Sequence, residues 1–276
     1  MPASSPNVLT VDVEEWFHVC GVNGALSREH WPSLPSRVVS TTDRLLDMLD
    51  RTGIRATFFV LGYVAEHHPQ LVERIAKAGH EIGSHGHMHD RVYTLTAETF
   101  EADLDRSVAA LAACGVPAVQ GFRAAEWSIN DRSLWALDVL VRKGFRFDSS
   151  MAPLRIIGNP TYPQAVHTRQ TAAGSIVECP PAVARRFGNQ MPFGGGWGLR
   201  MSRPRTVLRA LEGRERAGLV STFWVHPWEI DDDPPRMRLP AGKHFAHYFC
   251  LNGFATRLET ILKGATFGPL GSVCLR

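Results

Sequence analysis

One unit recurs along this chain of 276 residues. An amphipathic segment ends in glycine, and a short apolar run follows within a few residues. It reads as "DRLLDMLDRTGIRATFFVLG", "PQLVERIAKAGHEIGSH", "ADLDRSVAALAACGVPAVQGFRA", "RSLWALDVLVRKGFRFDSS" and "RTVLRALEGRERAGLVSTFWVH". In the first four, apolar residues fall at helical spacing, as at Leu104, Val108 and Leu111 or at Leu134, Leu137 and Val141. Pro69 suits the first turn of its helix, and Thr96 or Asn130 is placed to cap the next two. Gly53, Gly79, Gly115 and Gly144 stand where a left-handed residue ends each helix. The apolar runs are too short for helices and predict buried parallel strands. Helix then strand, repeated, means α/β architecture, either a closed or partial barrel or an open doubly wound sheet. No GxGxxG or P-loop follows the first run, so nucleotide binding has no support.

Polar groups stand at the end of run after run. "VLTVDVEE" ends in acids, "HEIGSHGHMH" in histidines, "AVQGFRAAEW" in Arg123 and Trp127, "GFRFDSS" in Asp148, and "STFWVHPWE" in His226. The carboxyl ends of parallel strands form the catalytic rim of barrels and the ligand crevice of open sheets. His85 and His89 are four apart, so a helical turn or an extended segment aims both imidazoles the same way. Two neutral imidazoles and one carboxylate with an open position make a hydrolytic metal site. Asp12 and Glu14, on one face of a strand end, are the carboxylate candidates. One acid binds the ion and the other takes a proton from water. His87 points elsewhere or supports the site from behind. Arg123 is placed to pair with the base, and His226 to protonate a leaving group. Trp16, Trp127, Trp197 and Trp228 offer flat faces that suit sugar rings, although about half of such aromatics are expected to be core.

Composition excludes other classes. A net charge of +3 argues for no nucleic-acid or membrane surface. No apolar stretch is long enough to span a bilayer, and "MPASSPNVLTVDV" lacks the pattern of a secretory leader. The five scattered cysteines form no CxxC pair and read as reduced thiols of a cytoplasmic protein. "GGGWG", residues 194 to 198, reads as a flexible loop able to carry Trp197 to a substrate; "DDDPP", 231 to 235, reads as a solvated turn.

In this order the motifs resemble those of the polysaccharide deacetylases, the NodB-homology group or carbohydrate esterase family 4. "TVDVEEW" resembles the first motif, "SHGHMH" the His-x-x-x-His metal motif, "GFRAAEW" the arginine motif and "FWVHPWE" the motif of the catalytic histidine. The match runs from about residue 7 to 230. The stretch from "MPFGGGWG" through "GFATRLETILKGATFGPLGS" is similar to the C-terminal region of the exopolysaccharide-associated branch. The resemblance implies a distorted, incomplete (β/α)7-type barrel in a single catalytic domain, with an extension over about 185–276 interwoven with the last barrel strand. It implies metal-dependent removal of acetyl groups, chiefly N-acetyl, from a glycan. Asp12 matches the general base, His85 and His89 the metal ligands, Arg123 the holder of the base, and His226 the acid. Val13 replaces the second adjacent aspartate, which leaves Glu14 or Asp12 as third ligand, with Glu14 preferred. The motif that tunes the histidine has no clear match; Asp148 is preferred over Glu178. Zn2+ is the first expectation, with Co2+, Ni2+ or Fe2+ compatible. Two rivals are a hydrolase of small linear or cyclic amides, allantoinase-like, and a catalytically silent carbohydrate binder.

Overall fold

A computed structural model describes residues 7–21, 27–186 and 188–275. The start of the stretch read as lacking a leader, residues 1–6, lies outside them. Each predicted apolar run is a strand. They are β1 (Asn7–Val13), β2 (Thr57–Val60), β3 (Glu81–Ser84), β4 (Gly121–Phe122), β5 (Phe147–Asp148) and, after an antiparallel pair and a hairpin, β10 (Thr222–Val225). The pair is β6 (His167–Thr171) with β7 (Gly174–Glu178), and the hairpin is β8 (Val183–Arg186) with β9 (Asn189–Pro192). The sheet runs β10-β1-β2-β3-β4-β5-β7-β6, parallel throughout except at β6. A last strand, β11 (Phe267–Gly268), pairs with the start of β1. Between β7 and β10 single bridges take the place of a full strand: Pro181 to Thr222 and Gly195 to Trp224. The sheet therefore curls into an incomplete barrel.

The helices are α1 (Val38–Thr52), α2 (Gly62–His67), α3 (Pro69–Lys77), α4 (Ala97–Ala113), α5 (Trp135–Arg142), α6 (Gly196–Arg200), α7 (Pro204–Arg216), α8 (Ala241–Tyr248), α9 (Phe254–Gly264) and α10 (Gly271–Cys274). Gly53, Gly79, Gly115 and Gly144 all have positive φ at the helix ends, and Pro69 opens α3. Thr96 caps α4 in a capping box with Thr99. Asn130 instead makes a turn ahead of α5, accepting from the Arg132 N–H.

β1 shows how alternation sorts the layers. Leu9, Val11 and Val13 pack outward in one core with Leu45 and Leu49 of α1 and Leu71 and Ile75 of α3. Each such side chain contributes roughly 1.5–3 kcal/mol on burial. Val8, Thr10 and Asp12 take the opposite face, and Val8 packs with Phe59 and Phe147. The barrel is tight there: a Cβ on Gly121 would lie 2.1 Å from the Phe147 ring. Against the expectation of free thiols, Cys179 and Cys274 form a disulfide across a sequence separation of 95, while Cys20, Cys114 and Cys250 are free. The bridge was invisible to spacing because α10 packs beside the amino ends of β2 and β3, where the Leu270 and Gly271 N–H groups reach Thr57 and Glu81. "DDDPP" is also not wholly solvated, since Asp231 is buried and accepts two hydrogen bonds from Arg37. No helix among the described residues is long and apolar enough to cross a membrane.

Candidate active site

Four side chains stand one residue past the ends of their strands: Glu14 after β1, His85 after β3, Arg123 after β4 and His226 after β10. Asp12 is two residues before Glu14, so both reach the same cleft. The cleft has a volume of ≈ 250 Å³ and is lined by Asp12, Glu14, His85, His89 and His226, with Trp127, Trp197, Trp224 and Trp228 around them.

Glu14, His85 and His89 bring one ligand atom each within 4.8 Å of one another. His89 Nε2 lies 2.7 Å from Glu14 Oε2, and His85 Nε2 3.9 Å from it. Their other atoms are already committed. The Trp228 indole N–H donates to Glu14 Oε1 at 3.1 Å, and His85 Nδ1 is 2.7 Å from the Arg123 carbonyl, which fixes that ring with Nε2 unprotonated. Glu14 Oε2 is buried and accepts no aligned hydrogen bond. A buried carboxylate oxygen facing two imidazoles fits a divalent cation. The electrostatics of Glu14 and His85 agree. Burial alone would raise the Glu14 carboxyl, but His89, His226 and His85 outweigh it and hold the group well below the usual carboxylate range. Burial holds His85 down to about 4, so its ring is neutral. His89 goes the other way: burial opposes its charge, but Cys20 and Glu14 raise it well above the ordinary value. His87 points away from the group, toward Glu66 at 3.6 Å.

Asp12 is held rather than shared. Its Oδ1 accepts from Arg123 Nη1 at 2.8 Å. The guanidinium is fully buried, donating also to Thr10 Oγ1, the Ser149 carbonyl and Ser149 Oγ, and it lies over the Phe59 ring at 4.5 Å. Asp12 Oδ2 stays open toward His226 Nε2, 3.9 Å away. His226 Nε2 is 3.7 Å from Glu14 Oε1, and its ring stacks on Trp228. Burial works against charge on His226, yet Glu14, Glu229 and Asp12 together raise its pKa.

Three expectations fail here. Asp148 does not touch His226. It sits in β5 bonded to Ser150, and paired with Glu178 rather than with the histidine. The acid on His226 is Glu229, whose Oε2 accepts from the His226 backbone N–H at 2.9 Å and stands 3.1 Å from Nδ1. The signal was the His-x-x-Glu spacing of "HPWE", a capping box in which histidine takes the cap position. Trp16 is not in the cleft. It is buried against Phe17 and gives its indole N–H to the Pro35 carbonyl. "GGGWG" is not a free loop either: Gly194 and Gly195 lie flush on β10, and Trp197 is in α6. His18, Lys243 and His247 also line the cleft and carried no sequence signal.

The profile of the polysaccharide deacetylases matches residues 32–145, which include His85, His89 and Arg123. Residues 32–145 are thus similar to a polysaccharide deacetylase domain. A second profile, a domain of unknown function (DUF3473), matches residues 149–274 and includes His226 and Glu229, so Asp12 and Glu14 precede both. Over 102 residues the chain is 34% identical to a chitooligosaccharide deacetylase of Rhizobium leguminosarum bv. trifolii, covering 37% of this chain and 44% of that protein. Over 64 residues it is 38% identical to the peptidoglycan-N-acetylmuramic acid deacetylase PdaA of Bacillus subtilis (strain 168), covering 23% and 24%. The match thus spans less than half of either relative. Among solved structures, a Mycobacterium smegmatis protein assigned to the polysaccharide deacetylases superposes with a TM-score of 0.64 at 20% identity, covering 100% of this chain and 92% of that one. Puue allantoinase gives a TM-score of 0.60 at 12% identity, covering 95% and 85%. A carbohydrate esterase family 4 pseudoenzyme of Bacillus anthracis gives 0.53 at 12% identity, covering 99% and 66%. The fold is thus shared with an allantoinase and with a pseudoenzyme, so the function of this chain must be argued from its side chains.

Proposed function

We infer that this protein is a metal-dependent hydrolase that removes acetyl groups, chiefly N-acetyl, from a glycan. The observation that carries the reading is the grouping of Glu14, His85 and His89 beside an arginine-held Asp12 and a glutamate-held His226 in one cleft. Glu14, His85 and His89 would hold the ion, and Zn2+ suits two imidazoles and a carboxylate. When bound, the ion supplies a Lewis acid for the acyl carbonyl and makes water more acidic. Asp12, fixed by Arg123 through one oxygen, takes the water proton on the other. His226 carries a proton held by neighbouring acids and gives it to the amine nitrogen as the C–N bond breaks. The products are acetate and a free amine on the sugar. Trp127, Trp197 and Trp224 flank the cleft as faces for sugar rings. Trp228 has a different duty, since its N–H is spent on Glu14. The C-terminal similarity and the aromatic lining favour an exopolysaccharide or glycan intermediate as substrate. The Cys179–Cys274 bridge favours an oxidising compartment over the cytoplasm expected from the thiol reading.

The test is metal analysis of the purified protein together with acetate release from N-acetylated oligosaccharides and turnover of cyclic amides. Acetate release that depends on a stoichiometric divalent ion supports the reading. Turnover of cyclic amides alone would move the protein to the amide-hydrolase class. Glycan binding without metal or turnover would make it a silent binder.

A further inference from the structure

Arg200, the last residue of α6, is fully buried, and so is Glu229. Arg200 Nη1 donates to Glu229 Oε1 at 2.7 Å, and Nη2 donates to the Ala246 carbonyl in α8. Glu229 thus has one oxygen on the arginine and the other on His226. Between them lies the Trp228 ring, stacked on His226 at 4.9 Å on one side and on His247 of α8 at 4.0 Å on the other. The His226–Glu229 turn is therefore gripped by two helices that belong to no repeat of the barrel. Stability alone is a poor explanation for such a pair, because apolar residues of equal volume commonly serve as well as buried ions. What the arginine adds is direction. By fixing Glu229 Oε1 it leaves Oε2 to hold the Nδ1 edge of His226, which turns Nε2 toward Asp12 and Glu14. A lysine has no second arm for the Ala246 carbonyl.

We propose that Arg200 is a positioning residue that acts through Glu229 to orient the His226 ring, and that α6 and α8 are thereby working parts of the active centre. This rests on the reading that His226 serves the leaving amine. On this proposal the region matched only as a domain of unknown function completes the site that the barrel begins.

The experiment compares Arg200→Met, Arg200→Lys, Glu229→Gln and the double variant R200M/E229Q in steady-state acetate release, with metal content measured in each. In parallel, the ring nitrogens of His226 are followed by 15N NMR without substrate. Both Arg200 variants should lose at least tenfold in kcat with KM within twofold and metal content unchanged. The double variant should be no slower than E229Q, and the His226 Nδ1–H signal should weaken in R200K. If R200M does not fold, R200K and the double variant carry the test, since neither leaves Glu229 as a lone buried charge. A kcat within twofold of the parent with the Nδ1–H signal intact overturns the proposal, as does a loss confined to KM or additive losses in the double variant. If the parent releases no acetate from any glycan, the functional reading fails, while the NMR signal still decides whether Arg200 sets the ring.

Discussion

At the residue scale, division of labour between Asp12 and Glu14 follows from who else touches them. Asp12 is bound by Arg123, and Glu14 by Trp228 with its second oxygen turned to the histidines. Asp12→Asn should therefore keep the metal and lose turnover by about 10²–10⁴-fold, the usual worth of a general base. His85→Ala should lose metal and turnover together. Metal analysis beside acetate assays checks both, and metal lost from D12N would make Asp12 the ligand. A different pair adds its own contribution to the response to pH. Burial pushes Asp148 up to about 6 against its bonds to Glu178 and Ser150, and burial with the adjacent Asp148 charge raises Glu178 well above its usual value. The native pair thus keeps protons that the unfolded chain has released. Stability from this source is full below the unfolded carboxylate range and is lost as pH rises from about 4 through 6. Asp148→Asn should flatten that slope and gain about 1–3 kcal/mol at pH 7. Urea unfolding of the parent and the variant at pH 4, 6 and 7.5 measures it, and a gain from the substitution that does not grow with pH contradicts the assignment.

At the element scale, helix followed by strand was written in the sequence because both periods are local. Glycine ends, Pro69 and the Thr96 cap mark boundaries that need no tertiary partner. The strand that closes the ring was not readable. Where a seventh repeat would stand, the chain uses Pro181 and Gly195 as single bridges to β10. Gly195 is extended there, and an added Cβ would meet the Trp224 carbonyl at 2.2 Å. Gly195→Ala should push α6 away from β10 and cost about 1–3 kcal/mol through overpacking. Denaturant midpoints test this; an unchanged midpoint would mean that the bridge is dispensable. Trp16 shows the limit of strand logic in the other direction. It is two residues past Glu14, but β1 ends at Val13, so alternation no longer carries it to the cleft.

At the scale of the whole molecule, the C-terminal region returns to the start of the chain. β11 pairs with β1, α10 packs on β2 and β3, and Cys274 bonds to Cys179 beyond β7. Reducing that bridge should lower stability by about 2–4 kcal/mol, because it closes a long loop. Thermal unfolding with and without reductant checks it, and equal midpoints would show that the bridge adds nothing. By itself the sequence determined the alternating α/β unit, the parallel strands, the rim of polar residues and the pairing of His85 with His89, all from patterns that repeat over a few residues. Only the tertiary structure decided that Glu229 rather than Asp148 meets His226, that Arg200 stands behind it, that Trp16 is core, and that two of the cysteines are joined. The reason is physical: periodicity fixes which face of an element a side chain occupies, whereas the partner on the opposing face is chosen by how the sheet curls and where distant helices come to rest.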